Sequence, residues 1–163
     1  MEDSGQIMAL MPRVSVPARG PGRAAALAQA MGAGPFAAVL LFVSPETDLA
    51  ALATEVTGAF GAVPVIGCTT AGEITGAGYA EGEIVAVGLP QGLFMVSTLL
   101  IADLARIEAQ ALIGQLIRDR QAMARARPAW EGEFAFLMVD GRSVRADELA
   151  ATLARGVGPV PLF

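Results

Sequence analysis

The sequence contains no histidine and no lysine; its 11 cations are all arginine, set against 16 acids. Without histidine, the commonest general base and the commonest metal ligand are both missing. A single cysteine cannot close an internal disulfide, which fits a reducing compartment. No apolar run approaches the roughly 18 residues of a membrane-spanning helix. The longest, FAAVLLFV at 36–43, is strand length. The opening residues Met1, Glu2 and Asp3 are unlike the basic start of a secretory signal. A net charge of −5 with scattered arginines makes no basic patch, so neither nucleic acid nor a membrane is an expected partner. Carboxylates do not cluster at ligand spacing, so no metal and no cofactor is expected. The expectation is a cytoplasmic protein.

What remains is a chain of 163 residues that is 54% hydrophobic, with mean hydropathy +0.56. That length suits one domain with a sizeable core, and the apolar excess suggests faces covered by more protein. Abundant arginine, alanine and glycine without lysine resembles a GC-rich bacterial coding sequence.

Residues 7–11 are apolar and Val14-Ser-Val16 can form a short strand, with Pro12, Pro17 and Pro21 breaking continuity. A helix is expected over 22–31 and a strand over 36–43, the latter buried on both faces because it lacks alternation. Ser44-Pro45-Glu46 reads as the capped start of a helix ending at Gly61. A strand over 63–66 then delivers the chain into GCTTAGE, and 76–82 reads as a loop. Strands over 83–89 and 93–101 are expected to pair antiparallel. A long helix is expected from Asp103 to about Arg127, with Leu104, Ile107, Ala111, Leu112 and Leu116 as its apolar stripe. A strand over 133–139, a helix over 145–155 and a strand from 159 complete the reading.

Residues 36–67 and 134–163 share one pattern: apolar strand, polar turn, Asp-containing helix start with Leu-Ala-Ala, glycine stop and Pro-Val strand. This reads as an internal repeat, with a helix a few residues shorter in the second copy. In the first copy the Pro-Val strand leads to GCTTAGE; in the second, Phe163 stands where a matching glycine loop would begin. The chain is therefore expected to be the front part of a longer protein. The fold class is α/β: a mixed sheet with repeated strand–helix–strand units flanked by helices, plus an antiparallel strand pair. Parallel neighbours with right-handed crossovers are expected within the repeats.

The stretch VIGCTTAGEI at 65–74 holds most of the chemistry. Gly67 and Gly72 permit unusual backbone angles and close approach of a ligand. Thr69 and Thr70 supply hydroxyls, and the amides from Cys68 through Ala71 can form an anion-binding concavity. Glu73 can meet an ammonium group, so the loop can accept an amino acid. Open α/β sheets place ligands at such strand ends. Ser44 and Asp140-Gly141, equivalent by the repeat, are expected to line the same cleft. A tight turn whose threonines satisfy backbone groups explains the residue types equally well. Cys68 as a nucleophile would need activation without histidine, and the apolar surface also suits an assembly or homo-oligomeric module. No catalytic residue is assigned.

FVSPETDLAAL, VPVIGCTTAGEI, GYAEGEIVAVGLP, FLMVDGRSVRADEL and GPVPLF together resemble the N-terminal FIST domain over 36–163. The resemblance implies a sensory input domain of bacterial signal transduction for small ligands, with amino acids as a candidate class. It also implies partnership with a FIST C-terminal domain or a signalling output protein. Residues 1–35 would be an N-terminal extension and first helix. The GGSAGD-like stretch that usually follows the PL strand is absent.

Overall fold

The computed structural model describes residues 11–141 and 143–163. The chain divides into two compact units, one up to Val96 and one over Ser97–Phe163. The apolar residues expected at 7–10 lie outside the described residues.

The first unit contains β1 (Arg13–Pro17), α1 (Arg23–Met31), β2 (Phe36–Val43), α2 (Leu49–Phe60), β3 (Val65–Thr69), β4 (Glu73–Thr75), β5 (Gly78–Ala80) and β6 (Glu83–Pro90). Four strands form a mixed sheet in the order β1-β6-β2-β3. β2 and β3 run parallel across the α2 crossover, while β6 is antiparallel to both β1 and β2. β4 and β5 form a separate antiparallel pair. Alternation decides which sheet face is buried: Val39, Leu41, Val43, Ile84 and Ala86 join Leu27 of α1 and Leu52 of α2 in one core. Complete burial of Leu27 is worth about 1.5–3 kcal/mol relative to exposure. Ala18, Ala24 and Met31 belong to this same core. Within the expected N-terminal extension and first helix, β1, Ala18 and α1 are therefore structural members of the first unit.

Two expectations about strands and caps are corrected. Residues 93–101 form no strand, because both edges of β6 are already paired and Leu93 and Phe94 turn back on Pro90 O. The antiparallel two-stranded pair is instead β4–β5, whose second strand lies in the segment expected as loop. The N-cap of α2 is Asp48, not Ser44: Asp48 Oδ1 accepts from the Ala50 and Ala51 amides at 3.1 and 3.0 Å. Ser44 opens a preceding turn in which Thr47 N–H donates to Ser44 O.

The second unit contains a 3-10 turn at Leu104–Arg106, α3 (Ala109–Ala126) and α4 (Ala146–Val157). Ile107 is extended, so the expected single helix from Asp103 is broken and restarts at Ala109. Gly156 of α4 admits Leu116 and Ile113 of α3; a Cβ at 156 would lie 2.9 Å from Leu116 Cδ1. The Arg120 guanidinium ties Glu133 to Val157 O.

The internal repeat is visible in the backbone of each unit. Val39 N–H donates to Pro64 O at 2.9 Å, and Ala135 N–H donates to Pro161 O at 2.8 Å. Val39 pairs in parallel with Val65, and Ala135 with Leu162. Both crossover helices have 12 residues, correcting the expected shortening of the second. They end at Gly61 and Gly158, with φ of 57° and 64°, a left-handed stop that glycine adopts without steric penalty.

Candidate functional site

The expected site lies at the carboxyl ends of the parallel strands β2 and β3. Strand β3 runs further than expected, through Thr69, because its ladder with β2 continues to the pair Val43–Thr69. Thr70 N–H then donates to Val43 O at 3.0 Å, holding the loop against the end of β2. Ser44, the next residue of β2's chain, is buried. Its N–H donates to Glu83 O at 3.0 Å, and its Oγ lies 3.5 Å from the Glu46 amide.

Glu73 faces inward and is only 2% exposed. Its Oε1 accepts the Thr70 hydroxyl at 2.5 Å and its Oε2 accepts Glu83 N–H at 3.4 Å. Thr70, Glu73, Glu83 and Ser44 thus form a hydrogen-bonded circuit joining β2, the 70–72 loop, β4 and β6. Burying a carboxylate requires such partners, and both oxygens serve the loop's own shape. An ammonium-binding role for Glu73 does not fit this inward orientation.

The two glycines act differently from expectation. Neither Gly67 nor Gly72 has positive φ; those near the loop that do are Gly78 and Gly82. At Gly67, a Cβ would lie 2.8 Å from Leu41 O and 2.9 Å from Leu41 Cβ, so the close approach there is by β2 itself. At Gly72, a Cβ would sit 2.5 Å from Tyr79 Cε2 and Cζ, so the Tyr79 ring covers that residue. Tyr79 Oη has two acceptors for its one proton, Glu81 Oε1 at 3.3 Å and Ala71 O at 3.4 Å. Tyr79 was not among the expected site residues. The signal for it was present: Thr75-Gly76-Ala77-Gly78 closes a two-residue hairpin that returns Tyr79 opposite Ile74.

Cys68 lies within β3 opposite Phe42, on the sheet face away from the α1–α2 core, not on a turn. Burial pushes its thiol pKa up, and no neighbouring cation draws it down. Thr69 and Ala71 are exposed, and the Ala71 and Gly72 amides have no hydrogen-bond partner among the described residues. These amides and the Thr69 hydroxyl are the loop's polar groups that have no hydrogen-bond partner among the described residues. Asp140 and Gly141, the repeat equivalent of Ser44-Pro45, belong to the second unit, where the strands expected over 133–139 and from 159 are reduced to the single parallel bridge Ala135–Leu162.

A hollow of about 400 Å³ beside the 44–47 turn is lined by Arg19, Arg23, Glu46, Asp48 and Glu55. A second, of about 370 Å³, lies at the opposite end of β2, beside Met31, Phe36 and Pro90. None of the expected site residues lines either. Among the described residues no group of His, Cys, Asp or Glu is arranged to hold a metal, and no helix is long and apolar enough to cross a membrane.

A family model, the FIST N domain, matches residues 37–163. No curated protein and no solved structure matches the chain.

Proposed function

The chain belongs to the FIST N domain family, a family of sensory domains in signal transduction, and we propose that it binds a small ligand at the 69–72 loop without transforming it. The observation that carries this reading is the braced loop at the carboxyl ends of two parallel strands, with the Ala71 and Gly72 amides unpaired among the described residues. A preformed loop spends little free energy on ordering when a ligand arrives. Its unpaired amides suit a carboxylate, and Glu81, solvent-facing beside Tyr79, suits an ammonium group. An amino acid satisfies both. The raised thiol of Cys68 and the absence of histidine favour binding over nucleophilic catalysis.

In this reading the setting is the bacterial cytoplasm, and the bound state is read by a FIST C-terminal domain or an output protein. The ligand biases a conformational equilibrium by no more than its differential affinity for the two states. The test is a thermal-shift screen of the chain against the amino acids and related small metabolites, followed by calorimetry on any that stabilise it. The expected result is a saturable rise in Tm that Gly72→Val abolishes. A screen in which none of these compounds raises Tm rejects the reading.

A further inference from the structure

We propose that the β4–β5 hairpin is a hinged cover for the 69–72 loop and that Tyr79 is the residue that holds it closed. The proposal rests on the ligand site named above only in giving the cover something to admit; the motion itself is argued from the hairpin.

The hairpin is pinned at both ends. At one end the Glu73 carboxylate is held by Thr70 and Glu83 N–H. At the other, Gly82 O accepts Ala18 N–H at 2.7 Å. Between these points, among the described residues, the single hydrogen bond from 74–81 to the rest of the unit is Tyr79 Oη to Ala71 O, for which Glu81 Oε1 within the hairpin competes at 3.3 Å. At 3.4 Å it is a long bond of little strength. The two apolar side chains that pair across the hairpin, Ile74 and Tyr79, are 82% and 69% exposed, so no core anchors it. Few buried apolar contacts and exposed ladder bonds mark the low-stability end of a fold.

The closed position is specific. Tyr79 lies over Gly72 so closely that any side chain there would collide with the ring. Gly78 and Gly82 flank the Tyr79 segment with φ of 110° and 73°. A Cβ at Gly78 would meet nothing within 4 Å, and one at Gly82 would meet Glu46 Oε2 at 3.6 Å, so neither glycine is packed against the core. The ring therefore covers Gly72, whose amide has no partner among the described residues, and swinging 74–81 about Gly82 uncovers it. Tyr79 is a positioning residue of this cover.

Two NMR observables on the full chain test this without any ligand. The first is the Gly72 Hα shift, which the ring above it displaces in the wild type and which Tyr79→Ala returns to an ordinary value. The second is relaxation dispersion at the Gly72, Gly78 and Gly82 amides. An open state populated to about 1–10% produces it; Tyr79→Ala removes it by removing the closed state, while Tyr79→Phe, which keeps the ring, raises the open population. An unchanged Tm in both variants shows that the fold is intact. If Tyr79→Ala leaves the Gly72 shift unmoved, the ring does not cover the loop and the proposal fails. If the shift moves but dispersion is flat in the wild type, the cover is fixed and the hinge fails. A metabolite screen without a hit would reject the sensing function and leave these two measurements as they stand.

Discussion

The Thr70 hydroxyl donates to Glu73 Oε1 at 2.5 Å, and through this contact the loop after β3 is fastened to the first residue of β4. The second carboxylate oxygen takes Glu83 N–H, so one side chain shapes the whole strand-end corner. Glu73→Gln keeps one acceptor for Glu83 N–H and offers Thr70 an NH2 from which its hydroxyl can accept, so a bond to a carboxylate is replaced by a weaker neutral one. The expected loss is about 1 kcal/mol of stability in denaturant unfolding. Glu81→Gln, on the exposed side of the hairpin, leaves stability unchanged within error. Equal stability of wild type and Glu73→Gln would remove the brace from the account.

Gly67 is glycine because β2 occupies the space where a side chain would go. Gly67→Ala brings a Cβ to 2.8 Å from Leu41 O, a backbone atom that cannot swing aside. The expected destabilisation is about 1–3 kcal/mol, the usual range for overpacking. Gly76→Ala, with nothing within 4 Å, is the control and is tolerated. Chemical denaturation of the two variants separates a packing requirement at 67 from a general sensitivity of the segment to side chains.

Arg23 of α1 and Glu55 of α2 join the two helices at 3.0 Å, and Glu55 Oε2 also accepts the Ala24 amide. The hydrogen bond from Arg23 holds the Glu55 carboxyl below its ordinary value of 4.5. A depressed folded pKa gives stability that is present above the unfolded value and lost as pH falls through the folded one. Glu55→Gln is therefore expected to be less stable than wild type near neutrality, with the difference shrinking as pH drops below 4.5. Melting curves from pH 7 to pH 3 measure it; a difference constant across that range contradicts the linkage.

Cys68, half-buried on the sheet and with a raised thiol pKa, is expected to react with thiol reagents at pH 8 more slowly than free cysteine. Cys68→Ala is expected to retain ligand binding. Rapid modification at neutral pH, or loss of binding in the alanine variant, would restore the thiol as a functional group.

Much of this fold is legible in the residues, and the exceptions have physical causes. The repeat is readable because both copies carry the same apolar strand, the same glycine stop and the same Pro-Val strand; Pro64 and Pro161 accept equivalent hydrogen bonds. Residues 93–101 have strand composition, yet pairing is a property of neighbours, and β1 and β2 leave β6 no open edge. Ser44 has capping chemistry, but Asp48 can receive two amides at once. At the site, the strand-end position of GCTTAGE follows from the sequence. That Glu73 turns inward and that Tyr79 reaches back over Gly72 depends on the hairpin register, which the glycine-rich segment conceals.

The central claim is that this loop receives a small ligand, and calorimetric titration of the chain with the amino acid that most raises its Tm tests it most directly. The account predicts saturable one-site heat for the wild type and none for Gly72→Val, whose side chain would stand over the loop backbone where the ligand approaches. At a concentration one hundred times Kd, linkage gives the wild type about 2.7 kcal/mol of added stability. Heat that is equally saturable in Gly72→Val would place the ligand elsewhere and contradict the claim.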